Sequence, residues 1–249
     1  LQVNGSTGIV VARDGTGTFT QQGGSTAASK LDAGVNPGKV GNFNLSGGVV
    51  NIAGQARFGV EGIGNLSIAD GSFNVVSGGS LIAGALAGGS ATVSVFGAGV
   101  LAVDNRLTLG EFGSALMGQN GANTTVTAGG LRVGAGAGST GNYQLHDGVL
   151  NVVNTNGVDG GTRVGLVGSG TFVQNGGTHN TTFMQIGGAT FGQGSGGTGV
   201  YQLNGGNLVS TGTIGIPVAP RVAYLESRPP EVAALNMGSM NYAKYSANR

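Results

Sequence analysis

The sequence contains no cysteine and no tryptophan, only five prolines in 249 residues, and only 8% charged residues. Without cysteine the chain can form neither disulfide bonds nor zinc–thiolate sites, and its redox compartment stays open. A formal net charge of +1 offers no electrostatic basis for binding nucleic acid or an anionic membrane. No apolar run approaches the roughly 18 residues of a membrane span. We therefore predict no nucleic-acid partner and no membrane span, and the start at Leu1 suggests a processed product or a fragment.

Glycine, in contrast, supplies 54 residues, although each ordered glycine loses more backbone entropy than any other residue. Collagen is excluded, because glycine does not fall at every third position and proline is scarce. Disorder is not favoured either, because 39% of the residues are hydrophobic and they are spread along the chain. The composition therefore predicts a β architecture interrupted by glycine turns.

A short motif recurs along the chain, in which an aromatic or apolar residue precedes a turn glycine by five positions, as in YQLNGG. Eight units follow this pattern with varying fidelity, and their anchors are Phe19, Phe43, Leu66, Val93, Thr125, Tyr143, Phe172 and Tyr201. The intervals of 24, 23, 27, 32, 18, 29 and 29 residues indicate connections of varying length between fixed strand positions. Within each unit apolar and polar residues alternate, which is typical of a strand with one buried face.

A further short strand ends in glycine in five units, at 57–59, 107–110, 131–134, 162–165 and 184–187. Two or three strands per unit make one coil of a solenoid, in which stacked copies bury an apolar face that a single coil cannot bury. We therefore predict an all-β fold, a parallel β-helix (β-solenoid) of about eight irregular coils over residues 1–216. Its predicted core stack is Phe19, Phe43, Leu66, Val93, Tyr143, Phe172 and Tyr201. Predicted polar ladders involve Thr18, Asn42, Asn65, Asn142 and Thr171.

The repeat in GTGVYQLNGGNLVSTGTIGI (197–216) resembles the glycine-rich β-strand repeats of bacterial autotransporter-type passengers and related surface proteins. The likeness covers residues 1–216. It implies an extracytoplasmic parallel β-helix, extracellular or at the bacterial cell surface, with surface or adhesive functions. The sequence departs from those proteins because it has no β-barrel translocator and ends in an unrelated tail.

That tail, residues 217–249, holds four of the five prolines and little glycine, and PPEVAALNM predicts a short helix. It is either a cap on the last coil, a disordered terminus, or a docking arm. Tyrosine and methionine are common contact residues, which favours an arm. The residues predicted to dock are Tyr224, Leu225, Val232, Leu235, Met237, Met240, Tyr242 and Tyr245.

We predict no catalytic, cofactor-binding or metal site, and no enzymatic activity. Asp147 in His146–Asp147 occupies the turn position that glycine holds elsewhere, so DG is interpreted as turn chemistry. His179 occupies the position of an apolar residue in other units, and is either a hydrogen-bonded core imidazole or part of an outward bulge. No second histidine or carboxylate at ligand spacing indicates a metal site.

The leading functional hypothesis is a structural subunit that polymerises head-to-tail into an extracellular fibre or sheath, as a homo-oligomer. The alternative is an adhesin that binds polysaccharide or a host surface through loops such as 26–40, 104–122 or 188–197. A polysaccharide lyase or hydrolase is disfavoured, because the charged residues are dispersed. Ice binding is disfavoured because most coils lack Thr-x-Thr.

Overall fold

The computed structural model describes residues 1–3, 5, 8–153, 160–188 and 196–215, together with the backbone of three strands beyond residue 215. These residues form 26 β-strands and no helix. Every strand pairs in parallel with a strand one turn earlier or later, as β6 (Val40–Leu45) does with β3 (Thr16–Gln21) and β9 (Ile63–Ile68). The chain therefore winds as a parallel β-solenoid.

The first face of the solenoid is a ten-stranded parallel sheet with one strand per turn. In chain order its strands are β3 (Thr16–Gln21), β6 (Val40–Leu45), β9 (Ile63–Ile68), β12 (Ser90–Phe96), β14 (Ser114–Asn120), β16 (Thr140–Leu145), β19 (Ser169–Gln174), β22 (Thr198–Leu203), β24 (Ala223–Ser227) and β26 (Ser246–Ala247).

The other two faces share the remaining sixteen strands. Six lie on the second face alone, namely β1 (Gln2–Val3), β4 (Ser25–Ala28), β7 (Val49–Ile52), β10 (Ser72–Val75), β17 (Val149–Val152) and β20 (Thr178–Thr181). Six lie on the third face alone, namely β2 (Ile9–Val11), β5 (Leu31–Ala33), β8 (Ala56–Phe58), β11 (Leu81–Ala83), β18 (Thr162–Val164) and β21 (Met184–Ile186). Four longer strands run across both faces, namely β13 (Val100–Leu109), β15 (Thr125–Val133), β23 (Gly206–Gly215) and β25 (Ala233–Asn241).

Eight complete turns lie between the start of β3 at Thr16 and the end of β23 at Gly215. The predicted all-β parallel solenoid of about eight coils is thus confirmed. Inward and outward residues alternate along the first-face strands, and the inward side chains of β6, β16 and β22 are buried. Stacking of these inward side chains builds one continuous apolar core along the rod.

The glycine that follows most third-face strands combines a backbone and a packing requirement. Gly59 and Gly134, for example, have φ angles of 63° and 71°, in the left-handed region. A Cβ atom on Gly134 would also overlap the carbonyl oxygen of Ser169 in the next turn. The predicted short strands that end in glycine are confirmed as β8, β18, β21 and the final segments of β13 and β15.

The predicted anchor of the fifth unit, Thr125, is wrong. Its anchor is Met117, which pairs with Val93 in the preceding turn and Tyr143 in the following turn, whereas Thr125 lies on the second face opposite Val100. The intervals around Met117 become 24 and 26 residues, instead of 32 and 18. The corner between β14 and β15 is longer than most other corners, and the buried side chain of Thr124 fills it. The turn glycine therefore does not lie five residues after the anchor, where the motif expects it.

Two of the segments predicted to be surface loops also contain strands. Residues 26–40 contain β5 and most of β4, and residues 104–122 contain β14 and the second half of β13. Strand residues thus make up about half of 26–40 and most of 104–122. The third segment, 188–197, lies mostly outside the described residues.

The predicted short helix in the tail is wrong, because Ala233–Asn241 form β25, which pairs in parallel with β23. The open edge of β23 offers a row of backbone hydrogen bonds, and this tertiary pairing overrides the local helix signal of PPEVAALNM. β24 likewise pairs with β22. Both sheets therefore continue past residue 216, where the composition changes.

Candidate assembly surfaces and the core that supports them

The predicted core stack occupies one inward column of the first face. Six of its members are fully buried, with exposed fractions of 0–1%: Phe43, Leu66, Val93, Tyr143, Phe172 and Tyr201. Their strands pair in unbroken register, with Met117 completing the column between Val93 and Tyr143. Phe19 begins the column and stacks on Phe43 with a centroid distance of 4.7 Å. The column therefore runs the length of the eight turns.

Phe19 differs from the rest of the column because it is only partly buried. β3 is the terminal strand of the first face and pairs with β6 alone among the described strands. The described strands that precede β3 extend the other two faces, since β1 pairs with β4 and β2 pairs with β5. Among the described strands, β3 therefore has a neighbour on one edge only, and Phe19 has a stacking partner in the column on one side only.

At the other end, three of the predicted docking residues take register positions opposite apolar core residues. Leu225 is opposite Tyr201, Leu235 is opposite Leu208, and Met240 is opposite Ile214. Of the remaining predicted docking residues, Met237 is opposite Ser210, Tyr224 is opposite the outward position Val200, and Val232, Tyr242 and Tyr245 lie outside the described residues. The strands of the tail thus repeat the register of the solenoid.

A recurring glutamine ties successive turns together at the first corner of the solenoid. Gln119 and Gln174 each donate from Nε2 to a backbone carbonyl of the following turn, at 3.0 Å, and Gln21 does so at 3.2 Å. The Oε1 atoms of Gln119 and Gln174 accept the hydroxyls of Tyr143 and Tyr201, at 2.7 and 2.6 Å. Each tyrosine of the core stack therefore donates its hydroxyl to a buried glutamine amide in the preceding turn.

Gln21 breaks this pairing rule. Its Oε1 atom is buried without a hydrogen-bond partner, because the core-stack residue of the next turn is Phe43, which has no hydroxyl. Burying an acceptor without a donor is destabilising. The sequence analysis did not predict the amide–tyrosine pairs. The pattern that indicates them is a glutamine two residues after the anchor, in the turn before each core tyrosine.

His179 lies in the second-face column opposite Leu150 and Leu208 and is completely buried. Its ring stacks beside Phe172 at 5.0 Å, and Nδ1 and Nε2 contact the Tyr201 hydroxyl at 3.0 Å and Thr162 Oγ1 at 2.9 Å. The first alternative from the sequence, a hydrogen-bonded core imidazole, is therefore confirmed. Burial lowers the pKa of His179 to about 3, so the ring is neutral at physiological pH.

The surrounding hydrogen bonds determine which ring nitrogen carries the proton. Tyr201 donates its single hydroxyl proton to Gln174, so His179 Nδ1–H must donate to the tyrosine oxygen. Nε2 is then an acceptor and receives the hydroxyl proton of Thr162. Thr181 donates to the carbonyl of Phe183 at 2.7 Å. This core polar cluster (Thr162, Gln174, His179, Thr181 and Tyr201) is thus fully satisfied with a neutral imidazole.

The outward polar ladders are confirmed in part. Asn65 donates to Asn42 at 2.8 Å, and Asn42 donates to Thr18 at 3.3 Å. The ladder does not reach Asn142, because Leu116 occupies that register position in the preceding turn. Two further amide pairs lie on the second face, Asn51 with Asn74 and Asn151 with Asn180, at 3.0 and 2.8 Å.

A cluster of charged side chains lies on the third face. Asp32 accepts from Arg57 Nε and Nη2, at 2.7 and 2.9 Å, and Lys30 Nζ lies 2.8 Å away. Burial alone would raise the pKa of Asp32, but the hydrogen bonds from Arg57 and Lys30 outweigh burial and lower that pKa. This arrangement stabilises two neighbouring turns and leaves the carboxylate ionised.

His146–Asp147 has the geometry of a turn. Both residues are exposed, and Asp147 Oδ1 accepts the backbone N–H of Gly148, whose φ is 84°. Within the described ranges, no three residues among His, Asp and Glu are grouped to hold a metal ion. The same residues contain no helix long and apolar enough to cross a membrane.

Comparison of the chain with models of protein families, with curated proteins and with solved structures gives no match. What is shown is the β-solenoid itself, with a continuous core stack, a strand β3 that pairs on one edge only among the described strands, and tail strands that repeat the same register.

Proposed function

We propose that the chain is a structural subunit that polymerises head-to-tail into a fibre or sheath. The observation that carries this proposal is that β3, among the described strands, has no neighbour on one edge, where the core stack ends in the partly buried ring of Phe19. An open parallel edge presents unpaired N–H and C=O groups that another strand can pair with. The occupant we propose is the opposite end of a second copy.

Register supports this choice of occupant. The tail strands place Leu225, Leu235 and Met240 at positions that continue the buried columns of the first, second and third faces. On the first and third faces the corresponding residues at the β3 end are also apolar, namely Phe19 and Ile9. A second copy stacked in the same register would therefore add apolar residues to apolar residues and backbone donors to acceptors. Because this contact is heterologous, it propagates into filaments unless the rotation closes a ring.

Location and family belong to the same proposal. An extracellular or cell-surface position, and kinship with autotransporter-type passengers, are supported by the glycine-rich repeat and its low content of charge. A non-enzymatic role is supported by the turn geometry of His146–Asp147 and by the buried, hydrogen-bonded position of His179.

The proposal is tested by blocking the open edge with proline. Gln21 O accepts from Ser46 N on the β6 side, and backbone groups alternate along a strand, so the N–H of Thr18 points to the open edge. Proline at such a position is compatible with the folded rod but cannot pair with an added strand. Thr18→Val is the matched control, because it also loses the side-chain contact with Asn42 but keeps the N–H.

We expect the unmodified chain and Thr18→Val to form filaments in electron micrographs, and Thr18→Pro to remain as short rods with unchanged circular dichroism. Short rods in all three samples, or filaments of equal length in all three, would show that the edge of β3 does not join copies.

Polysaccharide binding is the second candidate function. It is favoured by the outward hydroxyl and amide ladders, such as Thr18–Asn42–Asn65, whose donors and acceptors match those of sugar hydroxyls. Cosedimentation of Thr18→Pro rods with an insoluble neutral polysaccharide tests it. Binding by these rods, without filaments from the unmodified chain, would favour the adhesin role over the structural one.

A further inference from the structure

The outward side of the first face carries no ionisable side chain in any strand from β3 to β22. Most of its positions hold Ser, Thr, Asn or Gln, and all of them are at least partly exposed. The Asp, Glu, Lys and Arg residues among the described positions lie at the corners or on the third face, as Asp32 and Arg57 do. Two identical copies of the first face can therefore meet without repulsion between like charges.

The most exposed apolar side chains of the first face lie near its centre. Thr92 lies in β12, the fourth of these eight strands, and pairs with Leu116 in the next turn. Ile63, in the preceding turn, is opposite Ser90 of the same strand. Leu116 and Ile63 are 40% and 42% exposed, although large apolar side chains on this rod are mostly buried. An apolar centre within a hydroxyl and amide rim is the usual composition of a protein–protein interface.

The size of the first face fits a stable pair. Six-residue strands stacked in eight turns give a surface about 20 Å wide and about 38 Å long, or roughly 750 Å². A standard specific interface buries about 800 Å² on each partner. The second face has four-residue strands at most of its turns and is correspondingly narrower, and most third-face strands are only three residues long and largely buried.

The first face is also the most regular of the three. Its strands pair without any register shift from β3 to β22, whereas β13 and β15 on the other faces are irregular between Val103 and Arg106. Every copy therefore presents the same side-chain spacing of about 4.8 Å, so columns of two copies stay matched along the rod.

We propose that the first face is a self-association surface, through which two rods pair side by side around Thr92, Leu116 and Ile63. This inference rests on the proposed function, because it describes how head-to-tail filaments combine into a thicker fibre or sheath. The partner is a second copy of this chain.

The test uses full-length protein with blocked ends, so that pairing of faces is measured apart from polymerisation. We expect Thr18→Pro to sediment as a dimer, twice the 24.2 kDa chain mass, at concentrations of tens of micromolar. Adding Thr92→Glu places an unpaired charge at the centre of each face and should weaken dimerisation at least about 10-fold. Adding Thr127→Glu, on the second face, is the matched control and should leave the dimer unchanged. Circular dichroism verifies that all three variants are folded.

A monomeric Thr18→Pro protein, or a dimer that Thr92→Glu does not weaken, would overturn the proposal. Neutral polysaccharide binding that Thr92→Glu abolishes, in a protein that stays monomeric, would assign the face to sugar instead. If the unmodified chain forms no filaments, the proposed head-to-tail assembly is wrong. Side-by-side pairing of its rods can still be measured by the same sedimentation experiment. The two proposals therefore fail separately.

Discussion

Between Phe43 and Val103, where every residue is described, the buried side chains of the solenoid are all apolar. Between Gln119 and Ser210 the described interior also contains glutamine, threonine and a histidine, linked to Tyr143 and Tyr201 by hydrogen bonds. The backbone geometry of the two halves is the same, so the difference lies in how the interior is filled. The first half tolerates exchange of one apolar residue for another, whereas the second half depends on specific donor–acceptor pairs.

The largest expected difference between the halves is their response to acid. The pKa of His179 falls from 6.5 in the unfolded chain to about 3 in the core, so the folded state resists protonation. Stability is therefore complete above pH 6.5 and is lost as the pH falls from 6.5 towards 3, by about 4–5 kcal/mol at most. At Asp32, in the turn before this apolar stretch, the lowered pKa means that the contribution to stability is present above pH 3.8 and is lost only below that.

Denaturant unfolding at pH 7 and pH 4 measures this difference, with His179→Leu as the control. Leucine is the residue opposite His179 in both neighbouring turns, and Thr162 and Tyr201 keep Thr181 and Gln174 as partners. The variant should lose much less stability between pH 7 and pH 4 than the unmodified chain. An equal loss in both proteins would place the acid sensitivity elsewhere.

A smaller difference is expected between the two buried tyrosines. Tyr201→Phe removes the partner of both Gln174 Oε1 and His179 Nδ1, whereas Tyr143→Phe removes only the partner of Gln119 Oε1. Each buried group left without a partner costs roughly 1–3 kcal/mol. The free energy of unfolding should therefore fall about twice as far for Tyr201→Phe. Equal losses would show that the His179 contact adds nothing.

The smallest expected effect is a gain, produced by introducing the pairing rule of the second half into the first. Phe43→Tyr places a hydroxyl in the turn after Gln21, whose Oε1 has no partner, and should raise the free energy of unfolding by about 1 kcal/mol. Phe172→Tyr is the matched control, because the equivalent position in its preceding turn is Leu145. It should destabilise the protein, and thermal melts of both variants would reveal opposite signs. A loss in both would refute the rule.

The first half of the solenoid was predictable from its sequence, because alternation and turn glycines coincide at Phe43 and Leu66 and the intervals between them are regular. The fifth turn was not, because the longer corner around Thr124 moved the glycine on which the motif depends. Sequence analysis recognised that His179 replaces an apolar residue. It could not identify Thr162 as its partner, since that contact depends on the register between turns separated by connections of unequal length.

The tail shows the same limit. Its composition differs from that of the repeats, so it was interpreted as a separate segment with a short helix. Ala233–Asn241 nevertheless adds to the sheet, because a preceding edge in fixed register outweighs local preference. Long-range pairing of this kind leaves no local signal in PPEVAALNM.

The most direct test of the central claim is X-ray fibre diffraction from aligned filaments of the full chain. If copies join head-to-tail through β3, the strands lie perpendicular to the filament axis, and the 4.7–4.8 Å strand spacing must appear on the meridian. If the same spacing appears on the equator, the rods lie across the filament and are joined by their sides, and assembly through the open edge of β3 is wrong.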